Sequence, residues 1–130
     1  MSVKVFSGID LADVHRLRQA RPALRERFYQ RVFTQAELRE IGDSFEEAAG
    51  HFAAKEAASK ALGTGIGRVA WQDLEIYHQP WGAPVLLLHG NAKLMAEKLG
   101  WTDWSVSITH NGDLAAAVVT AVAESGSALS

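Results

Sequence analysis

The sequence predicts an α+β fold whose strands pair mostly antiparallel, and three observations carry that reading. Strand-like stretches are short, one at the start of the chain and the others from Leu74 onward. Asn111-Gly112 lies between two of them, and Asn-Gly between alternating runs is the strongest short-range hairpin signal. The middle of the chain is dominated by an alanine-rich segment that opens with a helix-start signature.

Taken in order, Val3 to Asp10 alternates as a strand, with Gly8 near its end and a helix-like segment following from Ala12. Asp10 is thereby placed at a strand-to-helix junction. Pro22 interrupts the arginine-bearing helix and permits a new start, after which Leu24, Phe28 and Val32 recur at helical spacing. Two short helices are expected rather than one long one. Ser44-Phe45-Glu46-Glu47 reads as a capping box, in which the Ser44 hydroxyl and Glu47 carboxylate satisfy orphan amides at a helix start. The helix should run to about Leu62 with alanine as its filler, which implies close packing against a neighbour, and Gly63 suits the left-handed residue that ends it.

Beyond the link Gly63-Thr64-Gly65-Ile66-Gly67, Leu74 to His78 and Pro84 to His89 read as strands around a turn at Trp81-Gly82-Ala83. Asn91 is expected to cap a helix ending before Gly100. Trp104, Val106, Ile108 and His110 then alternate with Ser105, Ser107 and Thr109, and the Asn-Gly turn leads into Leu114 to Val122. The tail, 124–130, reads as disordered. No repeat, linker or low-complexity block marks a second module, so a single domain over 1–130 is expected.

With 130 residues, 48% of them apolar, the chain can close one core. Having no cysteine, it offers neither a disulfide nor a thiolate nucleophile, and a zinc site would need histidines and carboxylates. That fits a reducing cytoplasm. Its N-terminus lacks a signal-peptide core, and the longest apolar stretch, Leu114 to Ala123, is well short of the roughly 20 residues that span a bilayer, so no membrane role is expected. A net charge of −2 argues against nucleic-acid binding, and no aromatic platform interleaves with the basic residues. The charge is uneven, however. Arg16, Arg18, Arg21, Arg25, Arg27 and Arg31 crowd into one segment, either as a dock for an acidic partner or as a solvated face paired with Asp13, Glu26 and Glu37.

Several residue types could carry chemistry. Gly63, Gly65 and Gly67 follow a helix instead of opening one, so they do not form a dinucleotide fingerprint, although such a loop can still present amides to a ligand. Glu56 and Lys60 are four apart on a face paved with small residues. They read either as an exposed ion pair contributing about 0.2–0.5 kcal/mol, or as a carboxylate for a hard cation beside an ammonium for a phosphate. The second reading needs another carboxylate, because Mg2+ usually takes one or two from the protein. Asp10 is the candidate, with helix N-capping as its competing role. His110 ends its strand beside the Asn-Gly turn, where it either reaches a ligand or is satisfied by backbone. His15, His51, His78 and His89 lack the i,i+4 spacing of a helical zinc pair.

Gly8-Ile9-Asp10-Leu11, Phe33-Thr34 with Glu37-Leu38, and Phe52-Ala53-Ala54-Lys55-Glu56-Ala57 running through Lys60-Ala61-Leu62-Gly63-Thr64-Gly65 form a specific set in order and spacing. Together with Gly82-x-Pro84 and Ser105-Val106-Ser107-Ile108-Thr109-His110, they make the chain resemble the holo-acyl-carrier-protein synthases, the small type of 4′-phosphopantetheinyl transferase. The resemblance covers nearly the whole chain. It implies a homotrimer with each active site in a cleft between neighbouring subunits, where coenzyme A binds and its 4′-phosphopantetheine arm passes to a serine of an acyl carrier protein, releasing 3′,5′-ADP.

Carried over by position, Asp10 and Glu56 match the Mg2+ carboxylates, Lys60 the lysine near the phosphates, and His110 the histidine lining the coenzyme A cleft. Gly63, Thr64, Gly82 and Pro84 fall in the matched cofactor-binding segments. Arg16 matches the docking arginine for the acidic carrier, and Arg21 and Arg25 join it on helical spacing. Glu56 acting through a metal-bound water and a neutral Lys60 both stand as the base that removes the serine proton. One position departs: His51 stands where the family usually has arginine. A protonated His51 binding the 3′-phosphate would make coenzyme A affinity fall as pH rises through neutrality. The rival functions are a non-catalytic carrier-binding module and a Mg2+-dependent phosphate-ester hydrolase using the same carboxylates.

Overall fold

The β1 strand (Ser2–Asp13) outruns its alternating stretch because β5 (Leu114–Ser125) pairs antiparallel with it along its full length, from Ser2 opposite Ser125 to Asp13 opposite Leu114. The computed structural model describes residues 2–125. Helices α1 (Val14–Gln19), α2 (Pro22–Val32), α3 (Gln35–Ile41) and α4 (Phe45–Leu62) follow, then a 3-10 turn at Trp71–Asp73. The chain continues through β2 (Leu74–His78), β3 (Pro84–Leu88), α5 (Gly90–Leu99) and β4 (Trp101–His110) into β5. One sheet has the order β1-β5-β4 and a second pairs β2 with β3, all antiparallel.

Several local expectations shift. The first helix starts at Val14, not near Ala12, and its N-cap is Asp13, whose Oδ1 accepts from Arg16 N–H at 3.1 Å. The Ser44 hydroxyl accepts from Glu47 N–H at 3.1 Å as expected, but the reciprocal bond is absent because Ser44 N–H donates to Ile41 O instead. A complete capping box forms one helix earlier, between Thr34 and Glu37 at the head of α3. His89 occupies the N-cap position of α5, and the Asn91 amide donates to Arg68 O. Glu124 and Ser125, assigned from sequence to a disordered tail, pair with Val3 and Ser2; the rest of that tail, 126–130, lies outside the described residues.

Helix α4 supplies the centre of the core. Ala48, Ala49, Ala53, Ala54, Ala57, Ala58 and Ala61 are all buried, so the helix backbone lies close to the sheet. Closest is Gly8 of β1: a Cβ built there would stand 1.9 Å from Ala57 O and 2.8 Å from Ala61 N. Strand alternation puts Gly8, Asp10 and Ala12 on this α4-facing side, while Val3, Val5, Ile9 and Leu11 on the other side stay 62–65% exposed.

Lys55, on the far side of α4, is fully buried with Glu37 of α3, at 2.7 Å from Nζ to Oε1. Its ammonium also donates to Leu74 O at 2.7 Å and Trp71 O at 3.1 Å, and Glu37 accepts from the backbone N–H groups of Thr34 and Ile76. Burial pulls the Lys55 ammonium below its usual range, with the Glu37 carboxylate opposing that pull. The motif lysine beside Glu56 is thus the bolt that joins α3, α4 and β2.

Candidate active site

Asp10, Glu56 and Lys60 meet where β1 crosses the C-terminal half of α4. Lys60 Nζ donates to Asp10 Oδ1 at 2.9 Å and to Ile9 O at 3.0 Å. Its ion pair is therefore with the strand, not with Glu56 one turn away. Since Asp13 caps α1, the Asp10 carboxylate is free for this role. Among the described residues the half-buried Glu56 carboxylate has no ion-pair or hydrogen-bond partner. Burial pushes its carboxyl above the usual range, the negative charge of Asp10 adds to that, and Lys60 opposes it. Two close carboxylates, one of them unpartnered, form an oxygen-only donor set of the kind a hard dication takes. The residues fit Mg2+.

Gly63 ends α4 at φ 73°, and the N–H groups of Gly63 and Thr64 turn back to Lys60 O and Ser59 O. The Thr64 Oγ1, four residues beyond Lys60, is buried and has no hydrogen-bond partner among the described residues.

A second group gathers at the N-terminal half of α4. His51, Gly82, Pro84 and His110, four of the expected coenzyme A contacts, line one cavity of about 120 Å³ with Glu46 and His78. That lining does not include Asp10, Glu56 or Lys60. His110 Nδ1 lies 3.1 Å from Glu46 Oε2, so the strand histidine is engaged by helix α4.

His51 does not behave as the sequence suggested. Only 1% exposed, its ring places Nδ1 2.8 Å from Glu47 O and Nε2 3.3 Å from Glu40 Oε2. No ring nitrogen is left for the pH-dependent phosphate contact expected of it. Glu40, which the sequence did not single out, and His78, set aside there for lacking helical zinc-pair spacing, complete this cluster. Burial works to raise the Glu40 carboxyl, but hydrogen bonds from the His78 backbone and ring and from His51 outweigh it and hold the group below the usual carboxylate range. No spacing rule links residues on α3, α4 and β2, so only the fold reveals them.

The arginines divide by role. Arg16 is exposed and Arg25 half-buried, and both line an apolar cavity of about 450 Å³ with Leu11, Leu17, Leu24 and Phe28. Arg25 also donates to Leu17 O and Ala20 O and lies 4.9 Å above the Phe45 ring, so it closes the end of α1 as well as facing the cavity. Arg21 is exposed at the N-cap position of α2. Arg18 stands 5.9 Å over Phe45.

The model of the ACPS family, the 4′-phosphopantetheinyl transferase superfamily, matches residues 7–119. The holo-[acyl-carrier-protein] synthase of Solidesulfovibrio magneticus is 47% identical over 114 residues, covering 86% of this chain and 93% of that protein. That of Herpetosiphon aurantiacus is 43% identical over 122 residues, covering 88% and 96%. The crystal structure of Helicobacter pylori holo-[acyl-carrier-protein] synthase in complex with coenzyme A superposes with a TM-score of 0.79 at 32% identity, covering 88% of this chain and 98% of that one. With the family model taking in the long helix and both groups of site residues, the chain belongs to the 4′-phosphopantetheinyl transferase superfamily, among its holo-[acyl-carrier-protein] synthases.

Proposed function

We propose that this protein transfers the 4′-phosphopantetheine arm of coenzyme A to a serine of an apo acyl carrier protein and releases 3′,5′-ADP in a Mg2+-dependent reaction. The observation that carries this reading is the Asp10–Glu56–Lys60 constellation, two carboxylates and a fixed ammonium brought together from β1 and α4. Asp10 and Glu56 hold the metal. When bound, Mg2+ neutralises negative charge on the pyrophosphate oxygens.

Lys60 is held by Asp10 and Ile9 O as a donor, so its ammonium stabilises phosphate oxygen charge and is not the base. That leaves Glu56 to accept the serine proton through an intervening water, since a carboxylate that holds the metal is too weak a base to take it directly. The serine oxygen forms a bond to the β-phosphorus of coenzyme A, the bond from that phosphorus to the bridging oxygen breaks, and 3′,5′-ADP leaves with the electron pair. Thr64 Oγ1 adds a donor for the phosphates.

The 120 Å³ cavity with His110, Gly82 and Pro84 takes another part of coenzyme A, and in this reading it serves the trio of a neighbouring subunit. The bare face of β1 supports that assembly: Val3, Val5, Ile9 and Leu11 form an exposed apolar row, and β5 adds Val118. Rows of this kind mark subunit contacts. We read the assembly as the homotrimer implied by the family resemblance. The acidic carrier docks on Arg16 and the neighbouring arginines, beside the apolar cavity they edge.

The test is to incubate the protein with coenzyme A, Mg2+ and an apo acyl carrier protein and to weigh the carrier by intact mass spectrometry. The expected result is the mass gain of one phosphopantetheine arm, lost in Asp10→Ala and Glu56→Ala. Free phosphopantetheine with an unmodified carrier would overturn transfer in favour of hydrolysis.

A further inference from the structure

We propose that Glu40, His51 and His78 form a binding site for a first-row transition-metal dication of the Zn2+ type, separate from the Asp10–Glu56 carboxylates. One carboxylate oxygen and one nitrogen from each imidazole lie within 4.8 Å of one another, drawn from α3, α4 and β2. Glu40 Oε2 faces both rings, 3.0 Å from His78 Nδ1 and 3.3 Å from His51 Nε2. Its other oxygen is fixed by the His78 backbone N–H at 3.0 Å. The carboxylate is therefore aimed before any ion arrives.

The buried ring of His51 supplies the second argument. Its Nδ1 lies 2.8 Å from a carbonyl oxygen, Glu47 O, a contact that only an N–H can make. A neutral ring that gives its hydrogen to Glu47 O has only a lone pair at Nε2 to set against Glu40 Oε2, so this 3.3 Å contact at 1% exposure calls for positive charge there, either a second ring proton or a metal ion. A cation between Nε2 and Oε2 supplies that charge. An imidazole whose second nitrogen donates to a backbone carbonyl is also the usual posture of a metal-ligating histidine.

Two imidazoles and one carboxylate favour a borderline metal over Mg2+. Three protein ligands leave a position open, as they do where zinc holds a water or a ligand oxygen. His51 and His78 both line the 120 Å³ cavity, so that position opens toward His110 and Pro84. A water or an anionic oxygen fills it.

The experiment uses the full chain without an affinity tag, stripped with a chelator and then titrated with Zn2+ and, separately, Co2+. One zinc per chain is expected by elemental analysis. Co2+ should give intense visible bands of a low-coordinate nitrogen-containing site that a large excess of Mg2+ leaves intact. At a hundredfold excess of Zn2+ over its Kd the melting temperature should rise by about 5 °C or more. Glu40→Gln and His78→Ala should each abolish the bands and the thermal shift. Absence of stoichiometric zinc would overturn the proposal and leave a proton on Nε2 as what resolves the contact. Bands that survive in both variants, or that Mg2+ displaces, would overturn it by placing the metal elsewhere. None of these readouts depends on transfer activity.

Discussion

Replacing Gly8 with alanine tests whether the approach of β1 to α4 builds the site. The added Cβ would lie 1.9 Å from Ala57 O, and the obstructing atoms are helix backbone, which cannot rotate away. Restoring an ordinary contact of 3.4 Å requires the helix to retreat by about 1.5 Å, the difference between those distances. Inserting even one methyl into a packed core costs about 1–3 kcal/mol, and a backbone clash belongs at the upper end. For a chain of this size that lowers the melting temperature by roughly 10 °C. The same retreat stretches the 2.9 Å Lys60–Asp10 bond beyond hydrogen-bond range. A misplacement of about 1 Å can cost about 100-fold in rate, so transfer should fall by that order under conditions where the variant remains folded. Gly50→Ala is a milder comparison for stability only: its Cβ would meet just the Ile108 Cγ2 methyl at 2.9 Å, a side-chain and not a backbone atom, while Gly50 itself lines the cavity with His51 and His110. Calorimetry and the intact-mass transfer assay read both effects. A Gly8→Ala protein that melts and turns over like the parent would refute the idea that this close approach sets the geometry.

Lys55→Met strands the fully buried Glu37 carboxylate, so urea unfolding should show a loss of about 3–5 kcal/mol. The double variant Lys55→Met/Glu37→Gln should recover part of that loss, and strictly additive effects would sink the ion-pair account. Arg16→Glu should raise the KM for the acidic carrier several-fold while leaving the KM for coenzyme A in place, and the difference should shrink as salt is added; equal rises in both constants would point to damage at the centre instead. Glu75 gives a pH dependence. Burial acts to raise its carboxyl, but the Thr34 hydroxyl at 2.6 Å, His89 and Lys55 hold it below the ordinary 4.5. Its folded form binds fewer protons than its unfolded form in that window, so its stabilisation is complete above pH 4.5 and disappears as pH falls through the lower folded value. Glu75→Gln should flatten the acid limb of stability measured by denaturant titration, and an unchanged slope would count against it.

What the sequence made legible was local or motif-bound. The helix ended by Gly63, the turn at Trp81-Gly82-Ala83 and the hairpin at Asn111-Gly112 each follow from a few adjacent residues with specific backbone demands. Asp10 and Glu56 were legible because a shared motif order tied a strand to a helix far along the chain. Helix α3 went unread although Thr34-Gln35-Ala36-Glu37 carries the local capping-box spacing; what was beyond local rules is its remote anchoring, since Glu37 also reaches Lys55 and the Ile76 N–H. Choosing between Asp10 and Asp13 as the helix cap also lay beyond local rules, because both can cap and only the length of the β5 pairing decides where β1 stops. His51 shows the same limit. Its substitution for arginine was visible, but its burial against Glu40 and His78 depends on where α3 and β2 settle.

The alanines of α4 connect these separate observations. Small side chains let the helix backbone touch β1 at Gly8, and that contact brings Asp10 of the strand within reach of Lys60, two residues further along β1 and one turn along the helix. At its other end the same rigid helix carries His51 into the wall formed by α3 and β2. A larger residue at Ala57 would push outward at the strand contact and tilt both ends together. The helix is therefore constrained by position as much as by composition: alanine is a good helix former anywhere, but only on this face does its lack of bulk determine whether the two halves of the site form.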